Sequence, residues 1–270
     1  MTSLRTTSAL VTLLLLSALP GPGRARDADA ADPALRVTTR TLGPGVVRRA
    51  GPGHRQVAGW GRYRGKFHTM TPGAGLPDGT VQDILQDRDG YLWLATLNGA
   101  ARYDGQEFIT YSHIDGLCGN AVGSLAQDRD GVVWFGCGRR MSRRGGLTRY
   151  DGETFTTYTS GDGLAHSYVW DVQPSHDGGL WILSHRDGLF ESLDPVTVLQ
   201  KLIGDRIQTY DVGTRILAMV ESPGGSLWIG GDDVVMRLQG EAARPVASAT
   251  SLGRVHAMAL DFDGSLWVRY

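Results

Sequence analysis

The sequence predicts an all-β fold, a β-propeller of four-stranded antiparallel blades with about five blades present. Three observations predict it. Asp87-Arg-Asp-Gly-Tyr-Leu-Trp93 returns as Asp128-Arg-Asp-Gly-Val-Val-Trp134, Asp177-Gly-Gly-Leu-Trp181, Gly224-Gly-Ser-Leu-Trp228 and Asp261-Phe-Asp-Gly-Ser-Leu-Trp267. The steps between Trp93, Trp134, Trp181, Trp228 and Trp267 are 41, 47, 47 and 39 residues, a period that marks repeated supersecondary units. Between Gly59 and Tyr270 no capped stretch keeps apolar residues at helical spacing, and 38 glycines in 270 residues suit a chain of tight turns.

Each repeat reads as a meander. A short apolar run such as Thr80–Gln86 is strand a, an Asp/Gly turn reverses the chain, and the Leu-Trp run is strand b. The turn Leu97-Asn-Gly99 leads to strand c at Ala101–Asp104, Gly105 breaks the chain, and Glu107–Tyr111 is strand d. Stacking such sheets radially buries both faces of each. The periodic tryptophans are therefore core anchors rather than exposed sugar platforms.

In chain order, residues 1–30 predict a secretory signal peptide: Arg5, the apolar run Ala9–Leu19, Pro20, and a small-x-small site at Ala28-Asp-Ala30, with a cut near Ala25 also fitting. The apolar run is short for a spanning helix, and an uncleaved anchor is the other reading. The protein is therefore expected to be exported, to the periplasm or outside the cell. Residues 31–58 are rich in Gly, Pro and Arg and read as a linker without a core. The propeller repeats occupy 59–270, with blades at about 75–115, 116–162, 163–205 and 206–250. A fifth blade would combine 251–270 with 59–74, because Trp60–Thr69 echoes strands c and d while the last repeat stops after strand b. That pairing makes a closed five-bladed ring. The other reading is a fragment of a larger propeller.

A net charge of −1 argues against a nucleic-acid coat, and two cysteines rule out a disulfide scaffold or a four-Cys zinc site. Cys118 and Cys137 belong to one blade, and a disulfide between them is one of two readings, free thiols being the other. The Asp-x-Asp-Gly turns lack the downstream Glu of a calcium loop, so neither metal nor cofactor is expected. The sequence has no nucleophile elbow, zinc-helix motif or phosphate loop, and no catalytic residue is assigned.

In such a meander the b-to-c turns and d-to-a crossovers emerge on one face. Blade 2 carries a longer b-to-c loop that holds Arg139, Arg140, Arg143 and Arg144, suited to carboxylate, sulfate or phosphate through paired N–H donors. The same face receives His113, Asn120, His166, Tyr168, His185 and Arg186. These ten residues are the candidate ligand site, set against a solvated basic loop with no ligand.

At Asp87-Arg-Asp-Gly-Tyr-Leu-Trp93, Arg102-Tyr-Asp-Gly105, Asp115-Gly-Leu117, Arg149-Tyr-Asp-Gly152 and Asp162-Gly-Leu164 the sequence resembles the two-component regulator propeller repeats. Those repeats form the exported sensor region of hybrid histidine kinases and related bacterial signalling proteins. The resemblance implies a sensing propeller that takes a small molecule or oligosaccharide and works with a membrane-bound signalling module. It implies no nucleic acid. The alternatives are a propeller enzyme of the streptogramin lyase type, sharing only the Gly-x-Leu-Trp part, and a protein-interaction scaffold.

Overall fold

The computed structural model describes residues 14–16, 35–59, 62–64, 67–138, 144–185, 197–232, 234–240, 242–248 and 253–269. The chain divides into two compact units, one centred on Thr39–Thr209 and one on Tyr210–Tyr270. In chain order the strands begin with β1 (Leu14–Leu16), β2 (Arg36–Thr41), β3 (Val46–Arg49), β4 (His54–Val57), β5 (Arg62–Arg64) and β6 (Phe67–Thr69). Blade 1 is β7 (Val81–Gln86), β8 (Leu92–Thr96), β9 (Gly99–Tyr103) and β10 (Glu107–Tyr111). Blade 2 is β11 (Val122–Gln127), β12 (Val133–Cys137), β13 (Gly146–Tyr150) and β14 (Thr154–Tyr158). Blade 3 is β15 (Tyr168–Pro174), β16 (Leu180–His185), β17 (Thr197–Ile203) and β18 (Arg206–Asp211). In the second unit, β19 (Ile216–Glu221), β20 (Leu227–Gly231), β21 (Val234–Gln239) and β22 (Ala242–Ser248) form blade 4, followed by β23 (Ala257–Leu260) and β24 (Leu266–Arg269). Among the described residues the only helical turns are two short 3₁₀ segments, Pro72–Ala74 and Ser160–Asp162.

The repeat motif works through its first carboxylate. Asp87 Oδ1 accepts the backbone N–H groups of Asp89 and Tyr91, which closes the a-to-b hairpin, while Oδ2 accepts the Trp93 indole N–H at 2.8 Å. Asp128 repeats this with Asp130, Val132 and Trp134. A buried indole N–H needs a partner, and the turn supplies it. Trp93 is then free to pack edge-on against Phe135 and Tyr150 of blade 2 and to stack with Tyr111 of its own blade. The core thus lies between blades: one cluster joins Trp93, Ile109 and Tyr111 to Leu125, Phe135 and Phe155, and a second joins Trp134 and Leu147 to Val169, Ile182 and Ile207.

The other two motifs are structural as well. In Arg-Tyr-Asp-Gly, Asp104 accepts the N–H groups of Gln106 and Glu107 across the c-to-d turn and the Tyr103 hydroxyl donates to the Gly105 carbonyl. Asp151 and Tyr150 do the same in blade 2. Arg102 lies 4.6 Å from the Tyr91 ring centroid. In Asp-Gly-Leu, Asp115 and Asp162 cap the Ser112 and Thr159 backbone, and Leu117 and Leu164 are buried.

In blades 1 to 4 strand a has a register shift near its start, between Val81 and Asp83, Val122 and Ser124, Val169 and Asp171, and Ile216 and Ala218. Such a bulge turns the next side chain toward the neighbouring strand. Asp83 Oδ2 accepts the Leu125 N–H at 2.9 Å, Ser124 Oγ accepts the Val172 N–H at 3.2 Å, and Ser124 Oγ lies 3.3 Å from Asp171 Oδ1. All three side chains are buried, and they tie the innermost strands of blades 1, 2 and 3 together.

Three expectations are corrected. The segment read as a linker supplies β4, β3 and β2 as fifth strands on the outer edges of blades 1, 2 and 3, pairing with β10, β14 and β18. Every residue of β3 and β4 is exposed, so the segment lacks the apolar alternation by which a strand is recognised. The boundary between blades 3 and 4 moves from about residue 205 to beyond Asp211, because β18 is the fourth strand of blade 3. Blade 3 reverses at Gly204-Asp205 without the Arg-Tyr-Asp-Gly signature, yet Ile207 and Tyr210 are buried as the aromatic residues of the earlier fourth strands are. Finally, the closing blade is not formed: β5 and β6 pair in a separate two-stranded sheet, and β24 pairs with β23 and β1.

Cys118 and Cys137 form a disulfide with Cα atoms 5.8 Å apart. Val122 is the residue facing Cys137 in the ladder, and the crossover before it folds back to bring Cys118 within reach. The cystine is buried in the cluster between blades 1 and 2.

Replacing Asp87 by Ala leaves a buried indole N–H unsatisfied and opens the turn, and is expected to cost about 1–3 kcal/mol in urea unfolding. Replacing Cys118 and Cys137 by Ser removes a cross-link of sequence separation 19, and the same measurement is expected to show a loss of about 3 kcal/mol. Asp177 adds a pH-dependent term: burial raises its pKa, but bonds from Lys201, the Gly179 N–H and Ser175 outweigh that and hold it at about 2. Its folded value is depressed, so its contribution is complete above the ordinary carboxylate range and is lost as pH falls through about 2. Unfolding midpoints of wild type and Asp177→Asn should differ at neutral pH and converge between about pH 4 and pH 2.

Candidate functional site

The loop face is built from blade ends that touch in sequence. In the crossover from blade 1 to blade 2, Asn120 Oδ1 meets His113 Nδ1 at 2.7 Å and accepts the His113 N–H at 3.0 Å, and the Asn120 carbonyl accepts the Gly99 N–H at 2.6 Å. Asn120 Nδ2 reaches Asn98 Oδ1 at 3.5 Å. This crossover is held by the b-to-c turn of blade 1. The next residue, Ala121, accepts the Gly138 N–H at 2.9 Å, which leads to the stem of the arginine loop.

Gly138 joins that stem to blade 3. A Cβ there would stand 2.8 Å from Tyr168 Cα and 3.0 Å from its ring, and φ is 137°, so only glycine lets blades 2 and 3 approach this closely. Tyr168 faces His185 across the β15–β16 ladder, with ring centroids 5.4 Å apart. Trp170 stands edge-on to both, 5.9 Å from Tyr168 and 5.5 Å from His185. It occupies the bulge of β15, which turns its ring outward and leaves it 44% exposed while Asp171 beside it is buried against Ser124. The equivalent bulge residue in blade 2 is Gly123, where a Cβ would stand 3.7 Å from the Trp170 carbonyl.

The structure therefore brings Tyr168 and His185 together, places His113 and Asn120 in the adjoining crossover, and leaves His166 half-buried between blades 2 and 3. Arg144 is exposed at the end of the arginine loop. Arg139, Arg140, Arg143 and Arg186 lie outside the described residues. Sequence reasoning missed Trp170, Asn98 and Gly138. The signal for Trp170 was its phase, since it falls outside the series Trp93, Trp134, Trp181, Trp228, Trp267. Asp83, Ser124 and Asp171 were also missed, although each stands ten residues before an anchor tryptophan.

Chemically the cluster offers an exposed indole, a phenol and an imidazole at one blade junction. Such a surface can stack a ring and bond its polar rim. Among the described residues no group of His, Cys, Asp and Glu has the arrangement of a metal site.

Among solved structures the chain is similar to PorZ, a surface component of the type-IX secretion system of Porphyromonas gingivalis. The identity is 17% over 68% of this chain and 30% of that one, with a TM-score of 0.51. It is also similar to the extracellular domain of the hybrid two component system BT3049 from B. thetaiotaomicron, with 15% identity over 85% of this chain and 38% of that one and a TM-score of 0.49. A gluconolactonase from Xanthomonas campestris, XC5397, is 15% identical over 91% and 99% of the two chains, with a TM-score of 0.48. The chain spans less than two fifths of the length of the first two. No curated protein matches the sequence. A model of the two component regulator propeller family matches residues 75–98 and 116–139, which cover strands a and b of blades 1 and 2. Strands a and b of the first two blades thus match the repeat of that family.

Proposed function

We propose that this chain is the ligand-sensing propeller of an exported, two-component-type signalling protein, acting in the periplasm or outside the cell and without catalysis of its own. In this reading it binds a small molecule or an oligosaccharide on the loop face at the junction of blades 2 and 3. The observation that carries the proposal is the Tyr168–Trp170–His185 cluster, with Trp170 held half out of the protein by the bulge of β15. A large exposed indole, where Trp93, Trp134 and Trp181 are buried, has a cost in water that a stacked ligand ring relieves. Arg144 is exposed beside Gly145, which lies against Ser167, and its guanidinium, with those that the sequence puts in the same loop, favours a ligand with carboxylate or another anionic group.

The repeat motifs support a binding role over a catalytic one. Their carboxylates and hydroxyls are engaged in turns and indole bonds, and the described part of the face presents aromatic, amide and imidazole groups rather than a nucleophile aligned with a base. Signalling further requires a partner module in the membrane that responds to the bound state, and ligand can shift it only by preferring one conformation.

The test is a titration of the purified chain with a panel of neutral and uronate-containing oligosaccharides, read by intrinsic tryptophan fluorescence and calorimetry. Trp170→Ala is expected to weaken binding at least tenfold and to abolish the fluorescence change without altering the melting temperature. Saturable binding that is unaffected by Trp170→Ala would remove this site from the proposal.

A further inference from the structure

The strongest feature outside the loop face is the belt of fifth strands. Its sequence has an eight-residue period that matches the blades: Leu42-Gly-Pro-Gly45, Ala50-Gly-Pro-Gly53, Ala58-Gly59. At each crossing two N–H groups in a row are used. Leu42, Ala50 and Ala58 donate to Asp205, Glu153 and Gln106 in the c-to-d turns, and Gly43, Gly51 and Gly59 donate to Asp162, Asp115 and Ala74 in the d-to-a crossovers. Leu42, Ala50 and Ala58 pack against the hydrophobic clusters below. Gly43 and Gly51 cross directly over Asp162 and Asp115, where a Cβ would collide with the aspartate. The belt is therefore a fitted part of the propeller edge.

What this belt presents is of one sign. Between Arg36 and Val57 it carries five arginines, one histidine and no acid, and from Pro33 to Pro77 there is no Asp or Glu at all. The whole chain has a net charge of −1, so the blades it wraps are acidic. Arg40, Arg48, Arg49 and Arg55 are exposed on the outermost strands. Among the described residues the belt's ion pairing is limited to Arg55 with Glu107, at 3.8 Å and with both side chains largely in solvent. Guarding a sheet edge against aggregation needs scattered charge and is commonly met with lysine. This belt uses arginine alone, the side chain whose planar fork matches carboxylate.

We propose that the belt is a second binding surface, for a linear polyanionic glycan bearing carboxylates, distinct from the loop-face site. The geometry selects a linear polymer over a flat anionic bilayer. Successive propeller blades are rotated about a common axis, so Arg40, Arg48–Arg49 and Arg55, on blades 3, 2 and 1, face different directions. A plane meets one blade edge at a time, whereas a flexible chain bends to all three. Binding through three weak contacts on one polymer gains strength from effective concentration.

The test uses the full chain with polygalacturonate as the probe, followed by calorimetry and affinity electrophoresis at 20 and 150 mM salt. Wild type is expected to bind the polymer at least a hundredfold more tightly than digalacturonate and to weaken at the higher salt. The variant Arg40→Gln, Arg48→Gln, Arg49→Gln, Arg55→Gln is expected to lose at least tenfold in affinity while keeping its melting temperature. In the Trp170→Ala background the polymer binding that remains is expected to be lost on adding the four Gln changes, which separates this surface from the loop-face site. Failure of wild type to bind, equal binding by the quadruple Gln variant, or equal binding to polymer and to phosphatidylglycerol vesicles would each overturn the proposal. Complete loss of polymer binding on Trp170→Ala alone would overturn it as well.

Discussion

The constraint on which the fold depends is that a tryptophan large enough to fill the space between two blades brings a polar N–H with it. Buried without a partner, that group would forfeit much of what the ring gains by burial. Asp87 and Asp128 resolve this by using one carboxylate for two tasks, closing the a-to-b hairpin with Oδ1 and accepting the indole with Oδ2. Local turn geometry and inter-blade packing are thereby coupled through a single residue. The ring can take its place only when the turn is formed, which accounts for the motif recurring as a block rather than as separate residues. In blades 3 and 4 Ser175 and Ser222 occupy the same position, with Ser222 Oγ still accepting the Ser226 N–H. Around Trp181 and Trp228 the cations Lys201 and Arg237 lie over the ring faces.

Blades that touch only through side chains need ties at both ends of the sheet, and the first unit has them. At the inner end, Asp83, Ser124 and the backbone of the next strand a form a buried relay from blade 1 to blade 3. At the outer end the belt donates two N–H groups at every blade crossing. Both ties engage backbone N–H groups, so they hold spacing without depending on the apolar side chains of the core. The cystine between Cys118 and Cys137 adds a covalent tie at the start of blade 2.

The sequence reveals the fold where physical requirements repeat. Strand b, the Asp/Gly turns and the fourth strands of blades 1 and 2 were legible because burial and turn chemistry recur in phase with Trp93 and Trp134. Glu107–Tyr111, read as strand d of blade 1, is the observed β10. Legibility fails where a segment borrows its stability from elsewhere. The belt strands bury almost nothing of their own and are held by backbone bonds to β10, β14 and β18, so neither polarity pattern nor propensity betrays them. The candidate site was partly legible for the same reason. Loop lengths placed His113, Asn120, Tyr168 and His185 on one face. Trp170 sits in a strand that otherwise reads as core, and only the bulge at Val169/Asp171 turns it out.

That contrast bears on where specificity can reside. In blades 1 and 2 the residues of the three repeat motifs are committed to turns, indole bonds and the core, and altering them changes folding before it changes recognition. A propeller of this kind can acquire a new ligand only through residues outside the period, and three sets meet that condition here: the off-phase Trp170 with Tyr168 and His185, the longer arginine loop of blade 2, and the belt. The loop and the belt are added to blades that would be complete without them, and Trp170 takes a bulge position of β15 that packs no core. Sites so placed can change independently of the packed sheets beneath them, whereas the same substitutions at Trp93 or Asp87 would first have to be repaired by the neighbouring blade.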